Sequence, residues 1–166
     1  MDILRRNTDY AMRAVVNLAN HYGDGAVSTR AVADDEDIPY QLACKLMQKL
    51  HRSRLVESCM GPNGGFRLSR DPWKINLLDV IEAVQGTLSL NKCLLGVDFC
   101  PRKSTCPVSK KLVGLQAYIS EYLSSIRLSE LVESRPTKTK NLQQDSGSAE
   151  NGQRKDKGKC TTGVFG

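Results

Sequence analysis

Apolar residues return at three- and four-residue steps in Ala11, Val15, Leu18, Ala19 and Tyr22, with Thr8 placed to cap and Gly23 and Gly25 to stop, which predicts a first helix over 8–22. Ser28 or Thr29 caps a short helix through Arg30, Ala31, Val32 and Ala33. Ile38-Pro39 opens a third that runs to His51 and lines up Leu42, Leu46, Met47 and Leu50 on one face. The acidic run Asp34, Asp35, Glu36 and Asp37 joins the last two, which makes a helix-turn-helix pattern. Strands are predicted over 54–59 and 66–69, around a tight turn of Gly61, Pro62, Asn63, Gly64 and Gly65. Helix, helix, hairpin is the order of a winged helix-turn-helix. Asn76 caps a further helix through Leu77, Leu78, Val80, Ile81 and Val84, closed at Gly86. The unit so defined spans 1–86.

From Thr87 to Pro107 the periodicity lapses, and this loop holds Cys93, Cys100 and Cys106. Helical spacing then resumes in Val108, Leu112, Leu115, Ile119, Tyr122, Ile126 and Glu130, predicting one long helix over 108–132, within a dimerisation segment of 108–134. A small winged domain cannot hide so long a stripe, so the expected partner is the same helix of a second copy, in a symmetric homodimer. The alternative is packing along its own domain. Residues 135–166 are polar with almost no large apolar side chains, and disorder is expected there. The fold class is therefore mainly α with a small β wing.

A chain of 166 residues, 40% apolar and 25% charged, is one ordinary domain with a small addition. Net charge is +6, but residues 135–166 carry seven basic and three acidic side chains, so the folded part is nearly neutral and charge says little about nucleic acid. No stretch has the roughly 18 apolar residues of a membrane span, and the start Met1-Asp2-Ile3-Leu4-Arg5-Arg6 lacks a signal-peptide core, so a cytoplasmic protein is expected. Six cysteines in a reducing compartment point to buried thiols, metal ligands or redox chemistry before disulfides.

The winged helix lays its second helix in the major groove of double-stranded DNA and reaches a backbone or minor groove with its wing. The solvent side of the third helix offers Tyr40, Gln41, Lys45, Gln48, Lys49 and Arg52, side chains that bond base edges or phosphates. Thr29 precedes them on the short helix. The glycine wing leaves backbone amides free to approach phosphate, with Arg67 on the returning strand. A plain solvated amphipathic helix would look similar. Cys93, Cys100 and Cys106 sit in a loop able to wrap three thiolates around zinc or an iron-sulfur cluster, one protein ligand short in either case. Their wide spacing favours the cluster. Cys44 and Cys59 read as isolated small residues, Cys160 as a tail thiol, and His21 and His51 as helix-end residues. No substrate pocket motif or CxxC suggests an enzyme.

Four segments together carry a family resemblance: Asn7-Thr8-Asp9-Tyr10-Ala11-Met12-Arg13-Ala14, Ile38-Pro39, the wing Gly61-Pro62-Asn63-Gly64-Gly65-Phe66-Arg67-Leu68, and Leu77-Leu78-Asp79-Val80-Ile81 ahead of three loop cysteines. Over about residues 1–132 the chain resembles the Rrf2 family of dimeric winged-helix transcription regulators. The resemblance implies a two-iron, two-sulfide cluster on Cys93, Cys100 and Cys106, sensing iron, redox state or nitric oxide and controlling affinity for a DNA operator, as in a repressor. It also implies that Pro39, Gln41, Cys44 and Lys45 face the bases and that Pro62, Asn63, Gly64 and Gly65 form the wing tip. Two positions depart from the IscR-like pattern: Met60 stands where arginine is frequent before the wing, and Ser109 where a histidine completes the cluster. Thr8-Asp9 instead resembles the NsrR pattern, which implies Asp9 of the partner subunit as fourth ligand. The alternatives are a cofactor-free family member governed by a protein partner and a zinc-structured DNA-binding protein.

Overall fold

The computed structural model describes residues 3–91, 94, 105–133 and 160–161, the last two by backbone alone. Cys93, Cys100, most of their loop and the remainder of the expected disordered tail lie outside the described residues. Six helices and three short strands are arranged as α1 Arg6–Asn20, α2 Thr29–Asp35, α3 Tyr40–Arg52, β1 Val56–Cys59, β2 Gly65–Leu68, α4 Leu77–Gln85, α5 Pro107–Ser125, α6 Leu128–Glu133 and β3 Cys160–Thr161, with a 3-10 turn at Pro72–Lys74.

The core collects the apolar faces read from the periodicity: Ala11, Val15 and Leu18 of α1, Val32 of α2, Leu46, Met47 and Leu50 of α3, and Val80 and Val84 of α4 are buried together. Each fully buried Leu or Met contributes roughly 1.5–3 kcal/mol of transfer free energy, so these faces set how the helices lie on one another. Thr8 is not the cap of α1. Arg5 takes that position, and Thr8 is fully buried one turn in, its hydroxyl donating 2.7 Å to Gln85 Oε1. Gln85 also accepts from Arg5 N and donates to Ile3 O, so the end of α4 holds the start of the chain. At the joint between α1 and α2, Asn17 donates 3.0 Å to the buried Glu36 carboxylate, while Arg13 donates to the Glu36 carbonyl.

The turn of the helix-turn-helix is set by backbone geometry. Asp37 takes a left-handed conformation (φ 53°) after α2, and Ile38 N closes back on Ala33 O at 2.9 Å. The same six-to-one closure ends α3: Arg54 sits at φ 60°, Arg54 N donates to His51 O, and Leu55 N donates to Leu50 O. Arg54 therefore closes the helix and does not begin the strand, which starts at Val56. An L-residue in this conformation is strained, so Arg54→Gly is expected to raise stability by about 0.5–1 kcal/mol, read as a higher midpoint of thermal unfolding.

Strands β1 and β2 pair antiparallel from Val56↔Leu68 to Cys59↔Gly65. Gly61 turns the wing at φ 124°, and Gly65 lies so close to the Val27 and Ser28 backbone that a β-carbon would collide with both. That contact is a bridge, Val27↔Phe66, which hooks the wing to the segment ahead of α2. A third strand was not foreseen: β3 pairs antiparallel with β1, placing Cys160 opposite Cys59. Cys59, read from the sequence as an isolated small residue, is disulfide-bonded. The expectation of disorder throughout 135–166 is corrected at 160–161.

Asn76 caps α4 with a full capping box, its side chain accepting from Asp79 N and Asp79 accepting from Asn76 N. Such a cap contributes about 1 kcal/mol. The single helix expected over 108–132 is instead two. The chain extends at Ile126, Leu77 N donates to Ile126 O and Leu128 N donates to Ile75 O, so 126–127 joins 75–77 as a short bridge before α6 begins. The physical reason is Leu128: it enters the winged-domain core with 1% exposure, a burial a straight helix would forgo.

Candidate nucleic-acid interface and cysteine site

Helix α3 presents two faces. Ala43, Leu46, Met47 and Leu50 are buried, and Tyr40, Gln41, Lys45, Gln48, Lys49 and Arg52 are exposed, with Cys44 half-buried between them. Pro39 occupies the N-cap, and Thr29 begins α2 behind the Ser28 cap, whose hydroxyl oxygen accepts from Ala31 N. The polar face read from the sequence is thus one surface. One of its members and the wing's Arg67 are otherwise engaged. The Lys49 ammonium donates 3.1 Å to Val84 O at the end of α4, and the Arg67 guanidinium on β2 pairs with Glu57 of β1. Lys45, Gln48 and Arg52 keep the centre of the face. Pro62 and Asn63 are exposed at the wing tip, while Gly64 and Gly65 are half-buried beneath it.

The Tyr40 phenol is pushed up from its ordinary value by neighbouring Cys44, through hydrogen bonding and charge, with Arg30 pulling the other way. The Arg30 guanidinium lies 4.7 Å from the centroid of the Tyr40 ring. No residue pattern revealed this contact, because it joins two different helices.

Among the three loop cysteines only Cys106 is described. It is a half-buried free thiol at the N-cap of α5. The other end of the loop is also tied to α5: Gln116 donates 3.0 Å to Leu88 O and accepts from Leu90 N at 2.8 Å. Sequence reasoning missed Gln116, a polar residue on a helix with no local sign of its long-range partner. Ser109 is buried with 3% exposure. Asp9 faces solvent on α1, its side chain 62% exposed and 3.5 Å from Arg13. His21 Nδ1 donates to Asn17 O, and His51 meets Phe66 edge to face, so both serve the ends of their helices. Among the described residues no group of three metal-binding side chains is assembled.

Three helices, an exposed second helix after a tight turn, and a glycine-tipped hairpin beside it define a winged helix-turn-helix transcriptional regulator, a class whose members are not enzymes. No described helix is long and apolar enough to cross a membrane. The chain belongs to the Rrf2 family, described as iron-dependent transcriptional regulators, whose model matches residues 4–134. It is similar to the HTH-type transcriptional regulator IscR of Sodalis glossinidius, 32% identical over 123 residues that make up 74% of each chain. Its fold is similar to that of T. potens IscR (TM-score 0.64, 25% identity, 87% of this chain and 93% of that one). It is likewise similar to CymR, the global cysteine regulator of B. subtilis (TM-score 0.70, 23% identity, 82% of this chain and all of that one).

Proposed function

We propose that this regulator is a homodimeric, operator-binding repressor whose affinity for double-stranded DNA is set by an iron-sulfur cluster on Cys93, Cys100 and Cys106. The observation that carries the reading is the anchoring of the cysteine loop on α5 at both ends, through Gln116 at one and Cys106 at the other. Three thiols suit iron chemically, and Cys106 is free and half-buried, so the donors present fit a cluster of the two-iron, two-sulfide type. When bound, that group supplies a centre that iron, redox state or nitric oxide can alter. This chain's own part is to tie the loop to the helix that carries the dimer face, so that a change in the loop biases the spacing of two DNA-reading helices. Anaerobic purification with iron and sulfide analysis tests it: stoichiometric iron and acid-labile sulfide support the cluster, and a colourless protein holding zinc overturns it.

In this dimer, two α3 helices address half-sites about 34–36 Å apart. Thr29, Pro39, Tyr40, Gln41, Cys44, Lys45, Gln48 and Arg52 form the groove-facing set, and Pro62, Asn63, Gly64 and Gly65 the wing contact. Lys45→Ala is expected to reduce the slope of log affinity against log salt by about 1 per protomer, about 2 for the dimer. Lys49→Ala should change that slope far less and lower thermal stability, because its ammonium holds the Val84 carbonyl. Equal slope changes in the two variants would place both ammonium groups on phosphate.

The fourth cluster ligand we assign to Asp9 of the partner subunit. Ser109 is buried and its hydroxyl is a poor iron ligand, whereas the Asp9 carboxylate is exposed. Carboxylate oxygen holds iron more weakly than thiolate, which leaves that position open to attack by a signal. Asp9→Ala should shift the visible spectrum and speed cluster loss, and Asp9→Cys should yield a cluster that resists nitric oxide and oxygen. A wild-type spectrum and decay rate in Asp9→Ala would leave Asp9 only its ion pair with Arg13.

A further inference from the structure

The cations around the DNA-reading surface differ in what already occupies them. Arg67 pairs with Glu57, Arg70 with Asp79, Arg13 with Asp9, and Lys49 with the Val84 carbonyl. Among the described residues Arg30, like Lys45 and Arg52 of α3, has no such partner. It is exposed on the first turn of α2, and among the described residues no carboxylate forms an ion pair with it, although Asp34 stands one turn further along the same helix. Its guanidinium rests instead against the face of Tyr40, 4.7 Å from the ring centroid, and Tyr40 is itself 47% exposed as the first residue of α3.

An aromatic face holds a guanidinium in place without neutralising it. The planar fork keeps its N–H donors at the rim, where they can meet the two oxygens of a phosphate. The stack joins the first turn of α2 to the first turn of α3, where a helix-turn-helix brings its leading helix across the nucleic-acid backbone while the second enters the groove. We infer that Arg30, held in place by the Tyr40 ring, is a phosphate-binding residue of this protein, with Tyr40 a positioning residue that acts through it. The inference rests on the DNA-binding reading and adds a contact that the polar face of α3 does not contain. It also separates the two parts of Tyr40: the ring holds the guanidinium, and the hydroxyl is dispensable for that.

The test is a salt titration of the full-length dimer against duplexes selected from a random-sequence pool, comparing wild type with Arg30→Ala, Arg30→Lys, Tyr40→Phe, Tyr40→Ala and the double alanine variant. Circular dichroism confirms folding of each. Losing one phosphate contact per protomer, two per dimer, should lower affinity roughly 25- to 100-fold at 0.1 M salt and reduce the salt slope by about 2. Arg30→Ala should show both effects, Arg30→Lys should keep most of the slope, and Tyr40→Phe should keep the Arg30 contribution to the slope, which Arg30→Ala made in that background then removes. Tyr40→Ala should reproduce much of the Arg30→Ala loss, with the double variant little worse than Arg30→Ala alone. A structural role for the stack would lower thermal stability without moving the salt slope. An unchanged slope in Arg30→Ala, while Lys45→Ala lowers it, overturns the inference and leaves DNA binding by α3 intact. Full additivity of Arg30→Ala and Tyr40→Ala overturns the positioning role. Absence of duplex binding by the wild-type dimer overturns the inference and the DNA-binding reading together.

Discussion

Cys93→Ala, Cys100→Ala and Cys106→Ala, each made alone, are expected to strip the anaerobically purified protein of its visible absorbance and of its iron and sulfide. Two remaining thiolates and one carboxylate cannot hold an iron pair against water and chelators. Loss of a mere outer-shell partner weakens metal sites by roughly 10–100-fold, so loss of a direct ligand should leave less than about a tenth of the wild-type iron. Cys44→Ala, Cys59→Ala and Cys160→Ala should keep near-wild-type iron, even though Cys59→Ala removes a disulfide. These controls matter because Cys44 lies on the DNA-reading helix and Cys59 on the wing: changes there can alter DNA affinity without touching the cluster. Iron retained in the first three variants and lost in the second three would reverse the assignment.

The second large effect concerns α5. Val108, Leu115, Tyr118 and Tyr122 recur at helical spacing on its outer side with exposures of 62%, 47%, 67% and 59%, while Ser109, Leu112, Gln116 and Ile119 turn toward the domain. A helix of 19 residues is about 28 Å long, enough to form the centre of an interface with the same helix of a second copy. In a two-fold arrangement the same patch lies on both sides, so a charge introduced there confronts its own copy or an apolar wall. The double variant Leu115→Asp, Tyr122→Asp should therefore be monomeric by light scattering at micromolar concentration. Its helical circular dichroism should be retained, since neither side chain enters the core, and operator binding should fall with the loss of the second half-site. A wild-type protein that is monomeric in both cluster states, or a double variant that stays dimeric, would remove α5 as the dimer helix.

Much of the fold was legible in the sequence because it is built from local signals. The spacing of Val15, Leu18, Leu46, Met47 and Leu50 marks the buried faces, Ser28 and Asn76 cap as their side-chain chemistry requires, and Gly61 to Gly65 bend as glycine allows. Positive backbone angles at Asp37 and Arg54 were not legible, since neither residue type demands them. Both are imposed by the closure of the preceding helix onto a buried apolar residue, Ile38 in one case and Leu55 in the other.

The sequence by itself determined the order of elements from α1 to α4, the polar face of α3, the wing and the cysteine spacing. All of these follow from side-chain type at short range, where periodicity and capping act. Tertiary structure decided everything that joins distant positions. It broke the long helix at Ile126, because burying Leu128 in the core outweighs one more helical turn. It turned Lys49 toward Val84, set Cys59 opposite Cys160, and tied the cysteine loop to Gln116. It laid the Arg30 guanidinium on Tyr40, a contact that exists only because the short turn after α2 brings the first turns of two helices within reach. A one-dimensional pattern records which face of a helix is apolar, but which distant group meets its polar edge depends on the packing angle between elements, and that is set by the core as a whole.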